Sequence, residues 1–459
     1  MARTSIPRDA IPQPLEELCE RLRQRGHRAW IVGGCVRDLL LDREVTDWDV
    51  ASDARPEQVM AAFRRVIPTG IAHGTVTVLH RGVPYEVTTL RGEGAYTDGR
   101  RPDSVSFVND IEEDLARRDF TVNAIAFEPE TAALIDPFGG MDDLSAGLLR
   151  TVGDPAARFG EDGLRVLRAA RFVATLELGL VPETEAAIAG ALDTFRKVSR
   201  ERVRDEWVKA MAAREPSRAF EVMRRTGILT VTCPELLDQV GCAQNRFHAY
   251  DVWEHTMRTL DATRPDSVLR MAALLHDIGK PRTRQLSDKT DDWTFYHHER
   301  LGADMADRWL RQYRFANADR ELVVHLIRHH LVCYAPEWTD AAVRRFLSRV
   351  GATAVEPLLE LARADAVAKG HPVDEELAGL SELRDRVESL VAAGAALGTG
   401  DLAVDGHDVM ERLGIGPGRA IGELLGKLLE RVLDEPELND RERLLALIDE
   451  MGQEYRADT

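Results

Sequence analysis

The strand signal in this chain stops near residue 140, and nearly everything after it carries a helical period. Before that point, Leu15 to Arg25 (LEELCERLRQR) has helical spacing and AWIVGG reads as a short buried strand entering a glycine turn. VTDWDVAS, GTVTVLH and VPYEVTTLR are β-branched or alternating, and RGVP supplies a hairpin turn between the last two. Beyond DPFGG at Asp136 to Gly140 come GLRVLRAARFVATL, AAIAGAL, RVRDEWVKAMAA and SRAFEVMRRTG, each with an apolar face at helical spacing. The pattern predicts an α+β chain: a mixed sheet-and-helix part at the N-terminus, then an all-helical remainder. Breaks at Thr232 to Gln244 and at Lys369 to Asp374 bound a middle block. The expected division is 1–150, 151–240, 241–370 and 371–459, from a chain of 459 residues that is long enough for several cores.

The acids outnumber the bases, 78 to 60, for a net charge of −18, which argues against a protein that coats nucleic acid. The distribution of the bases says more than the sum. Only six are lysine, so 54 are arginine, the side chain that grips phosphate with a planar fork. They crowd two stretches, Arg91 to Arg118 and Arg158 to Arg204, and solvated charged faces are the plainer reading of such crowding. No apolar run approaches the roughly 18 residues needed to span a bilayer, and MARTSIPRDAIPQP lacks the apolar core of a signal peptide, so a cytoplasmic protein without a membrane partner is expected. The five cysteines are odd in number and show no CxxC spacing, which predicts neither a disulfide framework nor a zinc ribbon.

Ile31 to Ala51, IVGGCVRDLLLDREVTDWDVA, concentrates the first chemistry. Asp47 and Asp49 stand two apart on a predicted strand, so both carboxylates project from one face and can hold divalent ions, with Mg²⁺ favoured by hard oxygen ligands. Gly33 and Gly34 follow a strand and precede a helix, where bare backbone N–H groups can cradle a triphosphate, with Arg37 one turn in. Glu86 in YEVTTLR completes a carboxylate trio if its strand neighbours Asp47 and Asp49; otherwise it is an exposed strand residue. In DLARRDFTVNAIAF, Asp114, Arg117, Arg118 and Asp119 form a polar cluster whose plainer reading is a helix start capped near Asp119 or Thr121. RFGEDGLRVLRAARF places Asp162 and Arg165 three apart on a predicted helix. That is either a surface ion pair or a carboxylate and guanidinium held side by side, complementary to the edge of a nucleobase.

VGGCVRD with TDWD, then RRDFTVNA, DPFGG and EDGLRVLRAARF, in that order over about 140 residues, resembles the class II tRNA nucleotidyltransferase and bacterial poly(A) polymerase family of the polymerase-β superfamily. The resemblance implies a polymerase-β-like head followed by a helical neck and body. It implies that Asp47 and Asp49 carry the catalytic Mg²⁺, that Glu86 is the third acidic position, and that Gly33, Gly34 and Arg37 hold the triphosphate. RRDFTVNA, with Arg118, Asp119 and Asn123, matches the ribose-contacting motif. Asp162 and Arg165, followed by Arg168, match the EDxxR motif that selects CTP and ATP in place of a template. Arg91 to Val108 resembles a flexible loop that remodels that pocket. GIAHGTVTV ahead of YEVTTLR resembles the tRNA-type enzymes, and no GRRF-like stretch of the poly(A) polymerases is found there. The implied activity is addition of CCA to tRNA from CTP and ATP with release of pyrophosphate. The alternatives are a poly(A) polymerase or an enzyme adding only C or only A.

A second constellation follows. His255 lies on a predicted helix, MAALLHDIGK ends another with His276 and Asp277 adjacent, and Lys280, His298 and Asp365 come after. This order resembles the HD phosphohydrolase superfamily, which implies His255, His276, Asp277 and Asp365 as metal ligands and Lys280 near a phosphate. His298 and His330 either extend that site or support it from behind. Imidazole with carboxylate suits Ni²⁺, Mn²⁺, Co²⁺ or Fe²⁺ as well as Mg²⁺. A rival of another class is therefore an HD metal phosphohydrolase whose head only binds RNA, which intact TDWD disfavours. The oligomeric state is left open.

Overall fold

Four consecutive buried residues, Ala29–Val32, form the strand on which the N-terminal part is built (β1). The computed structural model describes residues 3–71, 74–92 and 106–452. It adds β2 (Asp49–Ser52), β3 (Val66–Gly70), β4 (Thr75–His80), β5 (Val83–Thr89), β6 (Ala126–Glu128) and β7 (Ala133–Ile135). They make one sheet in the order β3-β4-β5-β2-β1-β6-β7. All neighbours are antiparallel except β2 and β5, which run parallel. The β4–β5 connection is the predicted hairpin: Arg81 at φ 49° and Gly82 at φ 86° both take the left-handed conformation that matches strand twist in a two-residue turn. Trp30, Val32, Ala51 and Ala126 bury their side chains with Leu90, Ile111, Leu115, Ala124 and Val152. Each large aliphatic buried there contributes about 1.5–3 kcal/mol.

The chain divides into two compact units, Met1–Leu237 and Asp238–Thr459. In the first, the helices Leu164–Thr175, Arg200–Ala210 and Ser217–Arg225 pack on one another, with Trp207 edge-on to Phe220 at 5.0 Å. Phe120, just after the sheet-side helix Ile111–Ala116, meets Phe172 of the first of these helices at 5.6 Å, fixing them against the head. In the second unit, Val252–Ala262, Ser267–Leu275, His298–Gln312, Asn317–His329 and Ala352–Ala368 form one bundle. Gly406–Leu413, Arg419–Asp434 and Arg441–Met451 enclose a further core of Val409, Leu424, Leu428, Leu444 and Ile448. Asp110, Asp154, Asp251, Asp266, Asp405 and Asp440 each accept a backbone N–H at a helix start, which accounts for part of the chain's acidity.

The part expected to be all-helical contains two small ribbons, Leu148–Leu149 with Gly179–Leu180 and Gln285–Ser287 with Asp292–Thr294. Segments of two or three residues are too short for any period to register in the sequence. Asp47 precedes β2 rather than lying on it. Asp162 closes the helix Pro155–Glu161, and Leu164 begins the next, so Asp162 and Arg165 do not share a helix. Glycine at 163 allows that tight join: a Cβ there would stand 2.6 Å from the backbone nitrogen of Phe195. No helix among the described residues is long and apolar enough to cross a membrane.

Candidate functional site

The parallel pairing of β2 and β5 puts Asp49 directly beside Glu86 in register, so the two carboxylates emerge on one face of the sheet. With Asp47 they line a cavity of about 730 Å³ that also takes in Gly34, Arg37, Arg118, Asp119, Asn123, Asp162, Arg165 and Arg168. The residues that the sequence scattered over more than a hundred positions thus share one concavity. Burial raises the Asp49 carboxyl above its ordinary pKa; Arg118 opposes the rise and the Asp47 charge adds to it. Glu86 is raised by burial and then by Asp49, against a lowering by Arg91. Asp49 and Glu86, whose burial and neighbouring charge disfavour ionisation, make with the exposed Asp47 a donor set suited to a divalent cation, which would reverse both shifts.

Gly33 adopts φ 79°, and a Cβ on it would stand 2.6 Å from Nη1 of Arg118. Glycine therefore leaves room for the guanidinium to lie over the start of the helix Gly34–Leu40. Arg37 donates from Nη1 to Oδ1 of Asn123 at 2.5 Å, and Asn123 donates from Nδ2 to Oδ1 of Asp119 at 3.0 Å. Arg168 donates from Nε to Oδ2 of Asp119 at 2.7 Å. Burial by itself would raise Asp119, but Arg168, Asn123 and Arg165 hold its carboxyl well below the usual range. The RRDFTVNA segment is thus not the capped helix start of the plainer reading. Asp119 accepts from the N–H of Phe120 between the helix Ile111–Ala116 and the short turn Thr121–Asn123.

Asp162 and Arg165 both reach the cavity, but not as a pair. Asp162 accepts from the N–H of Leu164 and from Nη1 and Nη2 of Arg202, at 3.3 and 2.7 Å. Arg165 is held by Glu161 at 2.5 Å and by the carbonyls of Arg158 and Arg117. Because Asp162 lies outside the helix, the i,i+3 spacing never brings the two side chains together. Arg202 falls within the arginine-rich stretch Arg158 to Arg204, and nothing in the sequence singles out Glu206, which is buried and accepts from Arg171 at 2.6 Å while standing 3.9 Å from Arg168. The one signal for them is their own i,i+4 spacing on Arg200–Ala210, which says nothing of what they face. Residues 93–105 of the expected flexible loop lie outside the described residues.

The second constellation assembles inside the other unit. His255 lies on Val252–Ala262, His276 and Asp277 follow Ser267–Leu275, and Asp365 sits on Ala352–Ala368. His255 Nε2 is 2.8 Å from Oδ1 of Asp365 and 3.6 Å from Oδ2 of Asp277; His276 Nε2 is 3.1 Å from Oδ2 of Asp277. Lys280 lies 2.6 Å from that same oxygen and donates to Gln244. His298 and His330 approach Asp277 from its other side, and His248, which sequence reading did not single out, stands with His255 and Asp365. Close as these contacts are, both oxygens of Asp277 and Nε2 of His276 are buried without a well-aligned hydrogen-bond partner among the described residues. Orphaned carboxylate oxygens and imidazole nitrogens converging on one point fit a divalent ion. Asp277 and Asp365 are held well below the usual carboxylate range: burial opposes this, and the histidines, with Lys280 for Asp277, outweigh it.

Residues 29–150 match the Poly A polymerase head domain, 178–239 the probable RNA- and SrmB-binding site of polymerase A, and 247–368 the HD domain. The chain is 34% identical over 436 residues to the CCA-adding enzyme of Anoxybacillus flavithermus, covering 93% of this chain and 94% of that one. It is 34% identical to that of Geobacillus stearothermophilus, covering 95% and 96%. Among solved structures it is similar to the Bacillus stearothermophilus CCA-adding enzyme in complex with CTP, with a TM-score of 0.73 at 31% identity, covering 97% and 99% of the two chains.

Proposed function

This chain belongs to the CCA-adding enzymes, and from that premise we propose that its head cavity adds CCA to the 3′ end of tRNA from CTP and ATP without a template. The observation that carries the reading is the register pairing of Asp49 with Glu86 on the floor of a cavity that Asp162 and Arg165 also line. Asp47, Asp49 and Glu86 are the residues that would hold Mg²⁺, which when bound supplies positive charge against the α-phosphate and the leaving group. Gly33, Gly34 and Arg37 hold the triphosphate, while Arg118, Asp119 and Asn123, braced by Arg168, contact the ribose. Asp162 offers acceptors and Arg165 donors to the base edge, so protein side chains do the work of a template strand. The 3′-oxygen of the tRNA bonds to the α-phosphorus as the bond to pyrophosphate breaks, and the oxygen's proton leaves to solvent. The head comprises 1–150, the neck and body 151–240, the HD domain 241–370 and the helical C-terminal region 371–459, and the protein works in the cytoplasm.

The test is direct. Purified protein, tRNA lacking CCA, and labelled CTP and ATP supplied separately and together should yield C, then CC, then CCA on sequencing. A poly(A) tail, or arrest after C alone with both nucleotides present, would replace the reading with one of its rivals.

The orphaned atoms around Asp277 favour a second activity. His255, His276, Asp277 and Asp365 would hold a divalent transition ion, whose Lewis acidity serves phosphate-ester hydrolysis. Lys280, which lines the cavity beside Asp277, would be the group to meet a substrate phosphate. Terminal phosphates on RNA, such as a 2′,3′-cyclic phosphate, are suitable substrates, because their removal exposes the hydroxyl that the head extends. Hydrolysis should appear in a screen of Ni²⁺, Mn²⁺, Co²⁺ and Mg²⁺; none with any of them returns the domain to a structural role.

A further inference from the structure

The face of the sheet opposite Glu86 carries a basic corner that the head cavity does not use. Glu86 alternates along β5 with Tyr85 and Val87, which are buried on the other face, and His80 of β4 pairs with Val83 on that same reverse face. The helices Gln13–Arg23 and Pro56–Ala62 pack there against β4. One corner is built from the end of the first helix, the link from the second helix to β3, and the β4–β5 hairpin. It exposes Arg21 and Arg25, Arg64 and Arg65, and Arg81 in that order. Two concavities that share Arg21, His80 and Arg81 run through it. One of about 240 Å³ adds Phe63, Arg64 and Arg65, and one of about 660 Å³ adds Glu17, Glu20 and Arg25.

The carboxylates of this corner are already engaged. Glu20 pairs with Arg23 at 2.6 Å, and Glu17 pairs with Arg81 at 2.7 Å and meets His80 at 3.3 Å. Arg21 lies over the Phe63 ring at 5.4 Å, and neither it nor Arg25, Arg64 or Arg65 has an ion-pair partner among the described residues. Acids outnumber bases in this chain, and elsewhere in the head Arg23, Arg28, Arg117 and Arg118 each stand 3.5 Å or less from a carboxylate oxygen. Four guanidiniums left without carboxylates in one corner repel one another and make a local positive field on an acidic protein, which a polyanion relieves. The corner carries arginine and no lysine. A planar fork with paired N–H donors matches the oxygens of a phosphate, and each phosphate so neutralised releases a counterion.

We propose that this corner is a second RNA-binding surface, which holds the sugar–phosphate backbone of tRNA away from the 3′ end that enters the head cavity. Arg21, Arg25, Arg64 and Arg65 supply the phosphate contacts, while Glu17 fixes Arg81 at their edge. Backbone contacts of this kind position an RNA without reading its sequence. The inference rests on the CCA-addition reading above only for the choice of tRNA as the RNA.

Salt dependence and footprinting test it. The full chain is compared with a variant carrying Arg21→Gln, Arg25→Gln, Arg64→Gln and Arg65→Gln, four exposed positions outside the head cavity. Each titrates tRNA lacking CCA between about 50 and about 200 mM salt. The variant should bind about tenfold or more weakly at the lower salt, and the slope of log K against log salt should flatten by about 2 to 4, since each duplex phosphate contact contributes about 0.9. The KM for tRNA should rise with kcat unchanged, and hydroxyl-radical cleavage should open a stretch of tRNA backbone that the unaltered chain protects. If the fourfold variant melts early, Arg64→Gln with Arg65→Gln should give the same changes at about half the slope effect. An unchanged footprint overturns the proposal whatever the affinity does. Loss of polyglutamate binding with tRNA binding intact also overturns it, and makes the corner a dock for an acidic polypeptide. Failure of the CCA-addition reading shows separately: an unaltered chain that protects tRNA through these arginines but adds no nucleotide keeps the surface and loses that reading.

Discussion

Single side chains in the head cavity have separable duties, and substitutions should separate them. Asp49→Ala leaves a shorter side chain on β2 and should lower nucleotide addition by about three orders of magnitude or more, because a lost metal ligand removes transition-state stabilisation that nothing nearby replaces. Circular dichroism and tRNA binding should stay near wild type; addition at the wild-type rate would sink the assignment. Arg202 is a positioning residue, since it acts through Asp162. Arg202→Ala should relax selectivity among CTP, ATP, UTP and GTP, as should Arg165→Ala, read as the ratio of incorporation rates. A uniform slowing with unchanged preference would make both pairs merely structural. Asp119 is depressed in the folded state, so its anion stabilises the fold above the ordinary carboxylate pKa of about 3.9, and that contribution fades as pH falls toward the folded value. Asp119→Asn removes the nearer of the two carboxylates beside Arg168, leaving Glu206 at 3.9 Å, and should cost about 1–3 kcal/mol at pH 7. Thermal melts should show the deficit shrinking in acid, whereas an equal deficit at every pH would contradict this account.

Among the elements, the join between Pro155–Glu161 and Leu164–Thr175 matters most, because it sets where Asp162, Arg165 and Arg168 emerge. Gly163→Ala drives a methyl against the backbone of Phe195, which cannot swing away as a side chain could. The strain should cost about 1–3 kcal/mol. The displaced helix start should also impair nucleotide selection more than tRNA binding, measured as a rise in misincorporation beside an unchanged tRNA dissociation constant. Elements of this kind were only half legible from sequence. The apolar period of LRVLRAARFVAT announces a helix, but a single residue of uncertainty at its start decides whether Asp162 stands on it. β2 has the same ambiguity: its first residue is Asp49, so the two-residue spacing of Asp47 and Asp49 spans a strand boundary. The type I′ hairpin at Arg81 and Gly82 was fully legible, because a two-residue turn leaves few alternatives.

At the scale of the whole molecule, the two clusters lie in different compact units, one among residues 32–209 and the other among 245–369. His276→Ala together with Asp277→Ala should abolish phosphate release from a 2′,3′-cyclic phosphate substrate while CCA addition to a free 3′-hydroxyl continues. Loss of both activities in the folded double variant would mean that the units are coupled. The sequence by itself determined the features whose parts are close along the chain. These are the glycine turn between strand and helix, the paired aspartates, the adjacent His276 and Asp277, and the change from sheet to helix near residue 140. Local geometry dictates them, so spacing alone exposes them. Only the tertiary structure decided that Asp162 answers to Arg202, that Glu206 anchors Arg171, and that each oxygen of Asp277 faces its own pair of histidines. Those partners sit tens of residues apart on separate helices, and a helical period tells which face is apolar without telling which polar group another helix will present to it.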